Sequence, residues 1–294
     1  MSRRLLLILN PMSGKRAGKR HLADVLERFC RADYIPTVFV TTGRGNAREV
    51  ACAHGGAADL VVCLGGDGTF NEVVSGLLEG GHATPMGYIP CGSTNDFASA
   101  IGLEKSVTLA IDAILKGEPH TYDVGLFGNR HFSYVASFGI FSRTSYATPQ
   151  NVKNALGHLA YVLEGMKELF SIRPWHVRVE TDGNAVEGDY IFGAVSNSTS
   201  VGGVLTLDPD AVDMNDGLLE LLLVRMPRNA GELNECIRAL VERRYDSEFI
   251  TFLKGSDFTV TAEETMEWSL DGEWGSGAAT IRIRNLKDAI TLIH

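Results

Sequence analysis

The sequence predicts two domains of different class, an α/β domain with a mostly parallel sheet followed by an antiparallel β domain. Up to about residue 117, short apolar runs alternate with apolar residues at helical spacing, which is typical of α/β units. After about residue 122, strand patterns follow one another and are separated by turn signals such as Asp182-Gly183. We therefore predict domains at residues 1–121 and 122–288, with residues 289–294 returning to the first domain.

Four apolar runs in the first domain predict its strands. Each run is short, is bounded by turn residues and suits a strand that is buried on both faces of a sheet. The predicted strands are residues 5–9, 38–40, 60–64 and 86–89. Helical spacing predicts helices around residues 22–29, 47–51, 73–77 and 107–114. Because ligands of such sheets bind beyond the carboxyl ends of the strands, the loops after these strands should form one binding edge.

The second half of the chain predicts an antiparallel sheet with two helical interruptions. Glycine-containing turn signals, including Asn215-Asp216-Gly217, separate neighbouring strand patterns. The predicted strands are residues 132–136, 177–181, 190–195, 218–224, 258–261 and 280–283. The predicted helices are residues 151–170 and 230–243.

The composition excludes several classes of protein. The 294 residues are 45% hydrophobic and 21% charged, with a net charge of −9, so no general basic field would attract nucleic acid. Five cysteines, none in a Cys-x-x-Cys pair, indicate neither a disulfide framework nor a zinc site. No apolar run approaches the roughly 18 residues of a membrane span, so any membrane contact should be peripheral. We expect a cytoplasmic protein.

A glycine-rich loop after the third predicted strand has the chemistry of an anion site. Gly65-Gly66-Asp67-Gly68-Thr69 leads from that strand into a helical pattern. Glycines let backbone N–H groups approach a phosphate closely, and a helix N-terminus adds partial positive charge. Asp67 would repel a bare phosphate, so it indicates a Mg²⁺ ion beside the phosphates or a hydrogen-bonded hydroxyl. The alternative is a tight strand-to-helix turn that binds nothing.

Two further loops at the same predicted edge repeat this chemistry. The stretch NPMSGK, residues 10–15, follows the first strand with a glycine and a hydroxyl. The stretch PCGSTNDFA, residues 90–98, completes the fourth strand and adds a second carboxylate, Asp96. Since three loops at one edge offer glycines, hydroxyls and backbone donors, the pattern favours a phosphate site over an empty turn.

Together these motifs resemble the diacylglycerol kinase catalytic domain family, which includes the sphingoid-base kinases and the short bacterial lipid kinases. NPMSGK, GGDGTFNEVVSG and PCGSTNDFA occur in the family's order, and the second half adds VDMNDGLLELLLV and LDGEW. The glycine loop alone is shared with NAD kinases and phosphofructokinases. The resemblance implies a Rossmann-like three-layer domain of the NAD kinase and phosphofructokinase type, followed by an antiparallel β-sandwich domain. Ser93 stands where many members have threonine, and it keeps the hydroxyl.

The resemblance implies an ATP site at the edge of the first domain. It places the phosphates on the first loop and the glycine loop, the nucleotide beside Thr41, and a phosphate contact at Ser93. Asp67 and Asp96 would organise a catalytic Mg²⁺ ion. The implied nucleotide-binding residues are Asn10, Pro11, Met12, Ser13, Gly14, Thr41, Gly65, Gly66, Asp67, Gly68, Thr69, Phe70, Asn71, Ser93, Thr94 and Asn95.

The resemblance also assigns acids in the second domain. Glu273 in LDGEW would be the general base, with Asp271 beside it among the catalytic acids. From the residues alone, a solvated glutamate after an ordinary Asp-Gly turn is the simpler interpretation, although a partly desolvated glutamate can take a proton from an alcohol. Asp213, Asp216 and the main-chain carbonyl of Leu218 would hold a structural Mg²⁺ ion; the alternative is a hairpin turn whose acids face water.

These implications predict one function and leave two alternatives. The expected enzyme is an ATP-dependent phosphotransferase that phosphorylates the hydroxyl of a lipid such as diacylglycerol. The alternatives are an NAD-kinase-like phosphotransferase, which would act on a soluble dinucleotide, and a nucleotide-binding regulator without turnover. The expected cofactors are ATP and Mg²⁺. The expected partner is a lipid substrate, reached by peripheral contact at the inner membrane face, without nucleic acid; a homodimer is one option for assembly.

Overall fold

The computed structural model describes residues 2–14, 17–103, 106–140, 173–201 and 205–294. The chain divides into two compact units. The first is Met1–Val124 with Lys287–His294, and the second is Gly125–Leu286. The helix predicted at residues 151–170 lies outside the described residues. No helix within the described ranges is both long and apolar enough to cross a membrane.

Secondary structure in the described ranges alternates first and is then dominated by strands. The helices are α1 (Ala17–Arg31), α2 (Asn46–His54), α3 (Asp67–Glu79), α4 (Asp96–Ala100), α5 (Val107–Lys116) and α6 (Ala230–Val241). The strands are β1 (Arg3–Leu9), β2 (Tyr34–Val40), β3 (Leu60–Gly65), β4 (Met86–Pro90), β5 (Pro119–Phe127), β6 (Arg130–Phe132), β7 (Val135–Gly139), β8 (Trp175–Thr181), β9 (Asn184–Ser196), β10 (Ser200–Val201), β11 (Leu205–Thr206), β12 (Leu219–Arg225), β13 (Ile250–Gly255), β14 (Asp257–Ala262), β15 (Trp268–Leu270), β16 (Glu273–Gly275) and β17 (Thr280–Ile293).

The first unit is built on a parallel sheet with apolar central strands. Its strands lie in the order β2–β1–β3–β4, and Leu292 of β17 pairs in parallel with Met86 of β4. All of β3 and the last five residues of β1 are buried. Strands that are covered on both faces need apolar side chains in both directions, which explains the unbroken apolar runs in the sequence.

Helices pack against this sheet and complete its core. Val25 and Phe29 of α1 and Ile111 of α5 lie in one cluster with Leu5 and Leu7 of β1. Helices α2 and α3 pack against each other and against β1 and β3, respectively. This layered arrangement confirms the α/β class that the alternating pattern predicts.

The second unit is an antiparallel sheet. Its strands lie in the order β16–β15–β7–β9–β8–β14–β17, and β9 also pairs with β12, which continues to β13. Buried and exposed residues alternate strictly along most of β8, as expected when one face of a strand meets a core. That core contains Phe138, Tyr190, Phe258 and Trp268. The predicted antiparallel β class is confirmed.

Several strands differ from the predictions, and the short strands β10, β11, β15 and β16 were not predicted. The strand predicted at residues 132–136 is interrupted, because β6 ends at Phe132 and β7 begins at Val135. The amides of Ser133 and Tyr134 donate instead to a carboxylate, which takes them out of the strand ladder. Strands β5 and β13 were not predicted, because polar residues among their apolar ones and their partial burial leave no clean alternation.

Candidate functional site

The loops that follow β1, β3 and β4 meet at one edge of the first unit. The amide of Asn10 donates to the carbonyl of Leu64 over 3.0 Å, and the amide of Cys91 donates to the carbonyl of Gly65 over 2.6 Å. These bonds lie at the carboxyl ends of neighbouring parallel strands. The topology therefore gathers main-chain donors of three loops into one region, the usual location of ligands in such sheets.

Glycines let these loops touch backbone to backbone. Gly14 has φ +46°, and a Cβ atom there would lie 1.7 Å from the carbonyl oxygen of Cys91. A Cβ atom on Gly66 would lie 3.0 Å from the Cα of Gly92, and one on Gly92 would lie 2.7 Å from the Cα of Gly66. Any side chain at these positions would push the loops apart, which is why the motifs need glycine here.

Asn10 connects the first loop to the glycine loop. Its side-chain amide donates to the hydroxyl of Thr69 over 2.9 Å, and its Oδ1 accepts the amide of Met12 over 3.0 Å. The second bond closes an Asx turn, a local hydrogen bond typical of asparagine in loops. The side chain of Asn10 therefore shapes the loop, and the amides of Asn10, Met12 and Ser13 are used within the protein, which leaves the amide of Gly14 as the loop's candidate phosphate donor.

Asp67 is held against the N-terminus of α4. It is the first residue of α3, it is half-buried, and its Oδ1 lies 3.4 Å from the main-chain nitrogen of Phe97. Burial raises the pKa of Asp67 above its ordinary value, and the amides of residues 95–97 oppose this by stabilising the carboxylate. Asp67 thus links the glycine loop to the third loop, and a cation beside it would favour its ionised form.

The third loop is fixed by Asn95. This residue adopts a left-handed conformation with φ +54°, and its Oδ1 accepts the amide of Gly92 over 2.8 Å while its side-chain nitrogen donates to the carbonyl of Gly92 over 3.1 Å. The next residue, Asp96, begins α4 and is buried. Asn95 therefore acts on the loop by holding its shape, and it brings the carboxylate of Asp96 to the same edge.

The predicted nucleotide-binding residues differ in exposure. Phe70 is fully buried, its ring lies 4.4 Å from that of Phe97 and 4.6 Å from that of Tyr88, and its amide bonds to the carbonyl of Gly66. This placement gives Phe70 a packing role. The exposed or half-buried members are Asn10, Pro11, Met12, Ser13, Gly14, Gly66, Asp67, Gly68, Asn71, Ser93 and Thr94, and the buried ones are Thr41, Gly65, Thr69, Phe70 and Asn95.

The loop after β2 is held by Thr41 and by Glu72. Glu72 was not among the residues predicted from the sequence. Thr41 is buried and its amide donates to the carbonyl of Leu9 over 2.8 Å, which brings this loop beside the first one. The carboxylate of Glu72 on α3 accepts the amides of Gly45 and Ala47 over 2.7 and 3.1 Å. Glu72 therefore caps α2 from a different helix. No local pattern signals such a cap, although Glu72 lies within the glycine-loop motif itself.

The two acids of the second unit lie on one short hairpin but differ in environment. Asp271 and Gly272 have φ +50° and +79° and form the two-residue turn between Leu270 and Glu273, which pair across the hairpin. The carboxylate of Asp271 is buried and accepts main-chain amides from the segment before β7. Glu273 is half-buried at the start of β16. Of the two, Glu273 is the more exposed acid.

The residues predicted to bind a structural cation form two consecutive turns. The Oδ1 of Asp213 accepts the amide of Asn215 over 3.0 Å, and the Oδ1 of Asp216 accepts the amide of Leu218 over 2.8 Å. Carboxylate and main-chain carbonyl oxygens are the ligand types that a hard cation takes, so the donor chemistry of Asp213, Asp216 and Leu218 fits Mg²⁺. In the described part of the chain, no cluster of three or more His, Cys, Asp or Glu side chains is arranged to hold a metal.

A buried acid, Glu220, lies beside these turns. The ammonium of Lys254 is 3.6 Å from the Oδ2 of Asp216 and 3.5 Å from the Oε1 of Glu220, which is fully buried. Burial raises the pKa of Glu220 to about 8, against the opposing effect of Lys254. Lys254 thus places a positive charge beside the carboxylates of Asp216 and Glu220.

Comparison with known proteins identifies both parts of the chain. Residues 4–127 match the diacylglycerol kinase catalytic domain, and residues 134–294 match the YegS C-terminal NAD kinase beta sandwich-like domain. The diacylglycerol kinase of Bacillus subtilis (strain 168) is 36% identical over 275 residues, which are 93% of this chain and 90% of the relative. That of Staphylococcus aureus (strain JH9) is 32% identical over 278 residues, which are 94% of this chain and 87% of the relative.

Solved structures show the same fold. The crystal structure of a diacylglycerol kinase from Bacillus anthracis strain Sterne has a TM-score of 0.76 at 21% identity, covering 99% of this chain and 97% of that chain. A second solved chain from the same strain has a TM-score of 0.84 at 23% identity, with 99% and 97% coverage. These likenesses confirm the predicted α/β domain and β-sandwich domain.

The fold and the matched domains define a lipid kinase, an enzyme class whose phosphoryl donor is ATP. The chain belongs to the diacylglycerol kinase family. The resemblance drawn from the sequence motifs is confirmed. Neither the NAD-kinase-like phosphotransferase nor the regulator without turnover is favoured by these relatives.

Proposed function

We propose that this chain transfers the γ-phosphoryl group of ATP to the free hydroxyl of diacylglycerol, yielding ADP and phosphatidate. The observation that carries this proposal is the backbone contact of three glycine-containing loops at the end of one parallel sheet. Amides in such loops and at the N-terminus of a helix suit the phosphates of a nucleotide. The relatives that are named diacylglycerol kinase support diacylglycerol as the acceptor.

The phosphates of ATP would be bound mainly by main-chain donors. The first loop offers the main-chain amide of Gly14 and the hydroxyl of Ser13, and the glycine loop offers the amides at the start of α3, where the helix adds partial positive charge. Ser93 and Thr94 are exposed and offer hydroxyl donors from the third loop. Fixed amides need little reorganisation as charge moves during phosphoryl transfer, so they stabilise the transition state.

The acids of the first unit are the candidates for holding the catalytic Mg²⁺ ion. Asp67 and Asp96 lie at the first residues of α3 and α4, and Asp67 contacts the N-terminus of α4. When bound, Mg²⁺ neutralises negative charge on the phosphates. The two carboxylates would orient the cation site, and the amides of residues 95–97 partly offset the rise in the pKa of Asp67 that burial causes.

Glu273 is the candidate general base. The bond that forms joins the acceptor oxygen to the γ-phosphorus, and the bond that breaks joins this phosphorus to the bridging oxygen of ADP. The proton of the acceptor hydroxyl would pass to the carboxylate of Glu273. Asp271 does not compete for this role, because its carboxylate is buried among main-chain amides.

An acceptor assay tests the proposed function directly. Purified protein with γ-labelled ATP, Mg²⁺ and mixed micelles of diacylglycerol should give labelled phosphatidate, and EDTA should abolish the label. Sphingosine, phosphatidylglycerol and NAD⁺ should be poorer acceptors in parallel reactions. The Asp67→Asn variant, purified in the same way, should form no product, which excludes a contaminating kinase. Label in the dinucleotide and none in lipid would overturn the proposal.

We also propose that Asp213, Asp216 and the carbonyl of Leu218 hold a structural Mg²⁺ ion in the second unit. Mg²⁺ should raise the Tm of the wild type by a few degrees, since a ligand that binds only the folded state stabilises it. The Asp216→Asn variant should lose this rise, and the variant of an exposed acid, Asp246→Asn, should keep it. An equal rise in Tm for Asp216→Asn would contradict the assignment.

A further inference from the structure

The hairpin that carries Glu273 is held by few strand bonds of its own. Strands β15 and β16 have three residues each, and their pairs are Trp268 with Gly275, Ser269 with Trp274, and Leu270 with Glu273. Among the described strands, β16 pairs with β15 alone. A two-stranded hairpin of this length is marginal by itself, so the location of Glu273 depends on how β15 and the turn are fixed.

The side chain of Asp271 fixes that turn to the segment that leads into β7. Its Oδ2 accepts the amide of Ser133 over 2.6 Å, and its Oδ1 accepts the amides of Tyr134 and Val135 over 3.0 Å each. The amide of Asp271 donates in return to the carbonyl of Val135 over 2.9 Å. Three successive amides that converge on one carboxylate form an anion-binding concavity, here filled by a side chain of the protein itself.

The same residue sets the direction of the chain just before Glu273. Asp271 and Gly272 both have positive φ, as in the type I′ turn that closes two-residue hairpins. Aspartate tolerates this conformation better than most residues with a side chain. Because Glu273 follows the turn immediately, a shift of the turn moves the carboxylate of Glu273 with it.

We propose that Asp271 is a positioning residue, whose carboxylate holds the hairpin so that Glu273 reaches the acceptor hydroxyl. This inference rests on the proposed function, in which Glu273 takes the hydroxyl proton. The family resemblance implies that Asp271 is one of the catalytic acids. The structure favours a different task, because main-chain amides occupy both carboxylate oxygens of Asp271.

A double-mutant cycle separates the two tasks. Asp271→Asn keeps the size of the side chain but replaces one acceptor with an NH₂ group that faces a main-chain donor. In the wild-type background, kcat should fall by about 10- to 100-fold, as expected when a reacting group is displaced, with the KM for ATP unchanged. In the Glu273→Gln background, the same substitution should change kcat by less than about 2-fold. A residue that acts only by placing the carboxylate of Glu273 has no effect once that carboxylate is absent.

A matched control is available in the same unit. Asp182 and Gly183 also form a left-handed turn, with φ +39° and +83°, and the carboxylate of Asp182 accepts the amide of Ser256 over 3.0 Å. Asp182→Asn should leave kcat unchanged. If it lowers kcat as much as Asp271→Asn does, the effect is a general loss of stability and the proposal is wrong.

Two other results would contradict the positioning role or the proposed function. An equal loss of kcat from Asp271→Asn in both backgrounds would overturn the positioning role, because Asp271 would then act independently of Glu273. Wild-type kcat in Glu273→Gln would instead refute the base assignment, which is a failure of the proposed function. If circular dichroism shows that Asp271→Asn does not fold, the cycle is run with Asp271→Glu, which keeps the charge and moves it by one methylene.

Discussion

Glu273→Gln should lower kcat by about 100- to 10,000-fold, the range that a positioned general base contributes. Glutamine has nearly the same shape as glutamate, and the pairing of residue 273 with Leu270 uses the main chain, so the hairpin should persist. The amide cannot accept the proton of the acceptor hydroxyl. The phosphate donors proposed for ATP belong to the first unit, so the KM for ATP should stay within about 2-fold of the wild-type value while kcat falls.

The measurement is a steady-state assay with diacylglycerol micelles at varied ATP. Glu267→Gln is the matched control, because Glu267 is exposed and directly precedes β15 of the same hairpin. It makes the same change of charge and should leave kcat unchanged. A Glu273→Gln enzyme as active as the wild type would show that another group, or water, takes the proton.

The parts of the fold that the sequence predicts are those determined by local patterns. The run at residues 5–9 is apolar at every position, and in the structure it is the buried part of β1. The glycines of the three loops signal close backbone approach, and Gly14, Gly66 and Gly92 make such contacts. Periodicity and backbone sterics act over a few residues, so one sequence suffices to read them.

The parts that sequence reasoning missed depend on partners that are distant along the chain. Asp271 and Ser133 are 138 residues apart, and their hydrogen bond both interrupts a predicted strand and gives the Asp271 carboxylate a main-chain partner. Glu72 and Gly45 are 27 residues apart, and the cap on α2 appears only when α3 packs beside it. In both cases a carboxylate looks like a catalytic or solvated acid in the sequence, because the amides that bind it are contributed by another element.

Gly14→Ala should raise the KM for ATP by about 10- to 100-fold, as expected when phosphate donors are displaced by part of an ångström or more. The left-handed φ of +46° at Gly14 is unfavourable for alanine by roughly 1–2 kcal/mol. The new Cβ atom would also lie 1.7 Å from the carbonyl oxygen of Cys91, far inside van der Waals contact. Neither the carbonyl oxygen of Cys91 nor a Cβ atom at position 14 can move by side-chain rotation. The first loop must therefore separate from the third.

Gly43→Ala is the control that isolates this contact. Gly43 lies in the loop after β2 and has no left-handed φ. A Cβ atom there would have no heavy atom within 4 Å. Its KM for ATP and its Tm should match those of the wild type. Isothermal titration with ATP would separate lost binding from lost turnover in Gly14→Ala. Wild-type ATP affinity in Gly14→Ala would mean that the first loop does not contact the phosphates, since the substitution must move that loop away from Cys91 whatever else it does.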